Sequence, residues 1–205
     1  GDGLALRELL RYPAVEKALL VDHDPDVLKL GRSAFVPWNK GSLSDRRVKT
    51  LVRDAREYLR ASRKLYDIII ADFTFPDDLT GCSLFTSEFF SLVKRHLTKS
   101  GVFAMNTVSP SVSAGAYWSI FKTLLELKIY PKPMRVDIPS FSSHGYGDWG
   151  FFFASKSPIS SGELKNIRFP KGLRYLNKSA LLESLRFPRS AVQLGLTLAR
   201  KITQP

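Results

Sequence analysis

Apolar positions along the chain fall into two kinds of run, and the two kinds alternate. Leu4, Leu6, Leu9 and Leu10 share one face of a helix expected over residues 4–11, with Arg7, Glu8 and Arg11 toward water and Pro13 as its stop. Ala18-Leu19-Leu20-Val21 is a short continuous apolar run, as in a strand buried on both faces. Asp24 as N-cap and Pro25 at the first helical position open a second helix. Residues 39–47 are polar and read as a loop, Val48–Val52 as the next strand, and Ala55–Ala61 as a helix. Tyr66–Ala71 is the clearest buried strand, β-branched and uninterrupted through Ile68-Ile69-Ile70. A helix over residues 83–97, with Leu84, Phe85, Phe89, Leu92 and Val93 inward, precedes a strand over 101–108. A further helix over 117–127 places Trp118, Phe121 and Leu124 in the core. Residues 135–138 and 150–154 read as the final strand pair, and the Ser- and Gly-rich residues 139–149 between them are expected to flank a ligand. No sheet role is expected after Lys156.

Strands that alternate with helices predict an α/β fold with a mostly parallel sheet and helices on both faces. An acid stands where each of three apolar runs ends, Asp22, Asp54 and Asp72, and Gly1-Asp2-Gly3 leads into the first helix. That is the layout of a Rossmann-like nucleoside-binding sheet, whose ligand lies across the carboxyl ends of the strands. The first helix would point its N-terminal N–H groups at the turn. A turn of this kind normally follows a buried strand, and none precedes Gly1. The sequence is therefore expected to be a fragment of a longer polypeptide, with its first strand missing.

Composition narrows the picture. The 205 residues suit one domain with a tail: a nucleoside-binding domain over 1–156 and a basic C-terminal segment over 157–205. A hydrophobic content of 44% and an aromatic content of 12% suffice for a sizeable core. The single cysteine, Cys82, excludes an internal disulfide framework and fits a reducing compartment. No apolar run approaches the roughly 18 residues of a membrane span. The net charge is +12, and from Lys156 onward ten Lys/Arg face only Glu163 and Glu183, which places +8 of it in the last quarter. A basic tail can touch nucleic acid or an anionic membrane face. No RNP pattern, zinc spacing or basic helix pair accompanies it, so no nucleic-acid partner is expected and the tail reads first as solvated surface.

The acids carry the chemistry. Asp2, Asp22, Asp54 and Asp72 along one sheet edge would repel one another unless a cation sits among them. The turn has no Lys and no Walker pattern, so a phosphate ligand fits poorly. A sulfonium nucleoside carrying an ammonium group fits well. Asp22, about 20 residues after the turn, suits a ribose diol. Asp54 can cap its helix, accept from an exocyclic amine, or both. His23, His96 and His144 are too scattered to suggest a metal.

Gly1-Asp2-Gly3, Val21-Asp22-His23-Asp24, Asp54-Ala55, the run Tyr66–Ala71 closed by Asp72, Leu84-Phe85-Thr86-Ser87-Glu88-Phe89-Phe90 and Trp149-Gly150-Phe151 together resemble the spermidine synthase family of polyamine aminopropyltransferases. Leu173-Arg174-Tyr175-Leu176-Asn177 resembles that family's C-terminal segment. The similarity is strongest to the bacterial branch in which this domain follows a membrane-spanning N-terminal part. The resemblance implies the fold of class I methyltransferases and decarboxylated S-adenosylmethionine as co-substrate, with no metal. Its aminopropyl group would pass to an amine such as putrescine, releasing methylthioadenosine. By match to the motifs, Gly1, Asp2, Gly3, Asp22, Asp54 and Ala55 would hold the donor, Asp2 would bind the aminopropyl ammonium, and Asp72 would be the general base. The resemblance also implies a homo-oligomer for the full-length form and a cytoplasmic location, including as the cytoplasmic part of a membrane-anchored protein. Membrane association would run through the upstream part or the basic tail.

Three positions depart from the family pattern. The loop after the fourth strand usually reads Asp-x-x-Asp-Pro, and here Phe75 stands in place of the second acid that holds the acceptor amine, with Asp77 and Asp78 in a shifted register. Phe141 stands where a tyrosine often lines the acceptor pocket, and Asn106 where a glutamine is expected. The donor half of the site is thus intact, whereas the acceptor half, with Phe75, Asp77 and Phe141, is altered. Two other readings stay open: a methyltransferase using ordinary S-adenosylmethionine, and a catalytically degenerate domain of a membrane protein.

Overall fold

The computed structural model describes residues 1–73 and 83–203. The chain forms two compact units, Gly1–Ser62 and Arg63–Pro205.

In the first unit, helix α1 (Leu4–Leu9), strand β1 (Ala18–Asp22), helices α2 (Pro25–Gly31) and α3 (Val36–Asn39), a 3-10 turn (Ser42–Ser44), strand β2 (Val48–Val52) and helix α4 (Ala55–Ala61) follow in order. β1 and β2 pair in parallel from Ala18 with Val48 to Asp22 with Val52, so both strands end level. The expected strands and capping acids are borne out. The Asp24 carboxylate accepts from Asp26 N–H at 2.8 Å and Val27 N–H at 3.4 Å, and Pro25, which has no N–H to lose, starts α2. α1 ends at Leu9, two residues before the expected end, with Leu10 as its C-cap. Residues 39–47 are more structured than the expected loop. Asn39 closes α3 fully buried, because its side-chain amide supplies hydrogen bonds to backbone carbonyls that burial would otherwise leave unsatisfied.

The second unit contains β3 (Tyr66–Ala71), a 3-10 turn (Ser83–Phe85), α5 (Ser87–His96), β4 (Leu97–Asn106), α6 (Ala114–Glu126), β5 (Tyr130–Val136), α7 (Pro139–Ser143), β6 (Trp149–Ser155), α8 (Ser161–Lys165), α9 (Lys178–Ser184) and α10 (Arg189–Leu198). Its strands lie in the order β3-β4-β6-β5. β3 and β4 are parallel, whereas β6 is antiparallel to both β4 and β5. The α/β class stands: β1–β2 and β3–β4 pair in parallel within their separate sheets, and β4–β6 and β6–β5 pair antiparallel.

Several boundaries move for physical reasons. Residues 83–97 split because Thr86 caps a new helix, its hydroxyl accepting from Phe89 N–H at 3.4 Å. β4 begins at Leu97, and its register against β3 slips between Tyr66 and Ile68, so the polar Thr98-Lys99-Ser100 is accommodated before regular pairing resumes at Val102. β5 begins at Tyr130, five residues before the expected 135, and Pro131 and Pro133 lie within it. Proline cannot donate to a sheet ladder, and β5 tolerates both because it is the last strand in the sheet order.

The core of the second unit is aromatic. Phe89, Phe90, Phe103, Tyr117 and Phe152 are all at most 2% exposed. Tyr117 stacks on Phe152 with ring centroids 4.5 Å apart and lies edge-to-face with Trp118 at 5.3 Å. Residues 157–205 contain no strand among those described, and they pack on α6. Phe187 stacks on Tyr117, the Arg200 N–H donates to Ser119 Oγ at 2.8 Å, and the Ile202 N–H donates to Thr123 Oγ1 at 3.1 Å. A Cβ on Gly195 would overlap the Trp118 indole, so only glycine lets α10 lie this close.

Candidate active site

The glycine turn is built by residues far from it in sequence. Asn39 Nδ2 donates to Asp2 O at 2.7 Å and to Gly31 O at 2.6 Å, while Ser42 Oγ donates to Gly3 O at 2.8 Å. Gly3 has φ of 85°, and a Cβ there would overlap Leu43, so the turn requires glycine. A Cβ on Gly1 would likewise overlap the Asp22 carboxylate. The backbone therefore passes directly against the acid that ends β1. No local signal marks the two buried tethers, Asn39 and Ser42, which lie in a stretch that reads as a polar loop.

Each of the three candidate acids of the first unit has a structural partner. Asp2 Oδ1 accepts from Leu4 N–H at 2.9 Å at the head of α1. Asp22 Oδ1 accepts from Asp24 N–H at 2.9 Å, and Asp22 Oδ2 lies 2.7 Å from the Gly1 nitrogen. Asp54 Oδ1 accepts from Glu57 N–H at 2.8 Å and so caps α4, with Ala55 as the first helical residue. Asp22 ends β1, and Asp54 follows β2 two residues beyond the paired Val52. Gly1, Asp2, Gly3, Asp22, Asp54 and Ala55 are thus all in the first unit, and Asp22 and Asp54 stand at the level carboxyl ends of its two strands. A carboxylate has about four lone-pair sites, so one structural hydrogen bond leaves capacity for a ligand.

Asp72 lies in the second unit, directly after β3. The Asn106 side chain, at the last position of the parallel neighbour β4, donates to Asp72 Oδ1 at 2.8 Å and accepts from Phe73 N–H at 3.2 Å. The Phe73 ring packs edge-to-face on Phe85 at 6.2 Å and on Phe89 at 5.6 Å, which anchors the turn from the other side. β6 runs antiparallel to β4 with Phe151 opposite Asn106, so Trp149 at its start belongs to this same sheet edge. Phe141 projects from α7 onto Trp149, with centroids 4.8 Å apart, and Tyr146 lies 6.3 Å from Phe141. Residues 139–149, expected to flank a ligand, reach this edge through Phe141 and Trp149. Phe75 and Asp77 lie outside the described residues, as does Cys82.

A second carboxylate, Asp148, organises the backbone around Trp149. It accepts from Ser109 Oγ at 3.1 Å, Ser111 N–H at 3.3 Å and Ser111 Oγ at 2.5 Å, and it pairs with Arg135 Nη1 at 3.4 Å. The loop that follows Asn106 is thereby tied to β5 and to the start of β6. Sequence reasoning passed over Asp148, whose partners lie 37–39 residues away in the loop. Among the described residues, no cluster of three or more His, Cys, Asp or Glu could hold a metal ion, and no helix is long and apolar enough to cross a membrane.

The comparison with known proteins agrees with this geometry. Residues 1–163 match the family profile described as the spermine/spermidine synthase domain. Polyamine aminopropyltransferase 1 of Streptomyces coelicolor is 37% identical over 191 residues, covering 92% of this chain and 35% of that protein. The chain therefore spans about a third of the length of that curated relative. A crystal structure of spermidine synthase from Thermotoga maritima superimposes with a TM-score of 0.80 at 27% identity, covering 96% of this chain and 66% of that one. A spermidine synthase in complex with the transition-state analogue AdoDATO gives a TM-score of 0.82 at 28% identity, covering 96% and 67%. The chain belongs to the spermine/spermidine synthase family.

Proposed function

We propose that the protein transfers the aminopropyl group of decarboxylated S-adenosylmethionine to an amine such as putrescine and releases methylthioadenosine. The observation that carries this reading is the set of carboxylates in the first unit. Asp2 sits in a glycine turn without a lysine or arginine, the turn's backbone passes against Asp22, and Asp54 follows the neighbouring strand. Such a set attracts a cationic nucleoside and repels phosphate.

The donor supplies an electrophilic carbon already activated by the adjacent sulfonium. Asp22 accepts from the ribose hydroxyls and Asp54 from the adenine amine. Asp2 attracts the ammonium of the decarboxylated arm, and it would repel the carboxylate that ordinary S-adenosylmethionine carries there. Asp2 therefore discriminates as well as binds.

An alkylamine acceptor has a pKa of roughly 10, like lysine, and arrives protonated. Asp72 accepts that proton. The freed nitrogen lone pair forms the new C–N bond as the C–S bond breaks, and its electron pair returns to sulfur. Phe141, Trp149 and Tyr146 form an aromatic wall suited to an alkylammonium chain.

The test is Asp72→Asn in the native polypeptide, assayed by mass spectrometry of the amine product. Turnover is expected to fall by about 10²–10⁴-fold, the usual contribution of a general base, with donor binding retained. Unchanged turnover would remove Asp72 from the mechanism.

A further inference from the structure

We propose that Asn106 is a positioning residue for aminopropyl transfer, aiming the Asp72 carboxylate by holding its Oδ1. This inference rests on the reading of Asp72 as the base. Asn106 is where a glutamine is expected by family resemblance, and the shorter side chain makes two well-formed contacts. Nδ2 reaches Asp72 Oδ1 at 2.8 Å, and Oδ1 receives the Phe73 N–H at 3.2 Å. One planar amide thus spans both the catalytic side chain and the backbone of the next residue.

Its support is rigid. Asn106 ends β4, one residue after the buried Met105, and β4 is paired on both sides, Ala71 opposite Met105 on β3 and Phe151 opposite Asn106 on β6. The Thr107 N–H donates to Gly150 O at 2.9 Å, which continues that pairing past Asn106. Asp72, by contrast, is exposed and lies just beyond the last paired residue of β3. An exposed carboxylate on a turn samples several rotamers, and a donor fixed on a central strand selects one. A displacement of about 1 Å at a reacting group can cost 10²-fold in rate, so a rotamer lock at this point matters for turnover and little for donor binding.

The experiment uses the native polypeptide with Asn106→Leu, close in shape but without a donor, and Asn106→Asp, which sets a second carboxylate against Asp72. For Asn106→Leu, kcat is expected to fall about 10- to 100-fold while donor affinity stays within about twofold. Asn106→Asp is expected to lower kcat at least as far, because it replaces the amide donor to Asp72 Oδ1 with a second acceptor. If Asn106→Leu fails to fold, Asn106→Asp, which keeps size and shape, decides the matter. Wild-type kcat in the Asn106 variants, alongside an inactive Asp72→Asn, would overturn the role of Asn106 and leave the base standing. An active Asp72→Asn would instead overturn the base itself.

Discussion

Removing one buried oxygen, in Tyr117→Phe, tests how the second unit holds the sheet edge that carries Trp149. Tyr117 is fully buried in α6, and its hydroxyl accepts from Met134 N–H at 3.0 Å. The same hydroxyl lies 3.2 Å from Met134 O and 3.3 Å from Phe151 O, so it serves β5 and β6 together. Burial, reinforced by the negative Asp148, pushes the Tyr117 pKa up, and the hydroxyl keeps the proton it donates. The phenylalanine ring keeps the stacking on Phe152, so the substitution isolates the hydrogen bonds. A net loss of about 1 kcal/mol is the usual value of one such bond, and leaving a buried polar partner unsatisfied raises it to about 1–3 kcal/mol. For a chain of this size each kcal/mol lowers Tm by about 2–4 °C. The expected result is therefore a drop of about 4–8 °C for a cost of about 2 kcal/mol, read by circular dichroism melts with unchanged far-ultraviolet spectra. A change below about 1 °C would refute the claim that this hydroxyl links the two strands.

Further expectations follow from the same contacts. A Cβ on Gly150 would overlap Val108 O and the Tyr117 ring, both fixed, so Gly150→Ala should cost about 1–3 kcal/mol and lower Tm; an unchanged melt would contradict this packing. The Arg47 guanidinium holds the Asp45 carboxyl at about 2 while also donating to Leu10 O at 3.1 Å and Val15 O at 3.2 Å. A carboxyl whose folded pKa lies below its unfolded value of about 3.9 stabilises above that value, and the contribution fades as pH falls from about 4 to 2. The Tm of the wild type should thus fall more steeply across that window than that of Asp45→Asn, and parallel curves would show that the pair contributes nothing.

The regular parts of this fold were legible because local chemistry and tertiary packing agree there. Asp24-Pro25 starts α2, Ala18–Asp22 and Val48–Val52 are strands, and the triple isoleucine lies within Tyr66–Ala71. Where local and tertiary demands differ, the sequence misleads. Pro131 and Pro133 argue against a strand until β5 proves to be the last in its sheet, with no further ladder to supply. Asn39 and Ser42 look like loop residues because nothing local shows that their partners are Asp2, Gly31 and Gly3. Asn106 stands out in the sequence as a departure from a family pattern, but its contact with Asp72 spans 34 residues and only pairing of β3 with β4 brings the two together. Acids at strand ends could be read from the sequence, whereas the residues that aim and tether them could not.

The most direct test of the account is calorimetric binding of decarboxylated and ordinary S-adenosylmethionine to the native polypeptide, with Asp2→Ala in parallel. The account predicts a clear preference for the decarboxylated form, because Asp2 attracts an ammonium and repels a carboxylate. That preference should collapse in Asp2→Ala. Equal or stronger binding of ordinary S-adenosylmethionine by the wild type would contradict aminopropyl transfer and point to a methyltransferase.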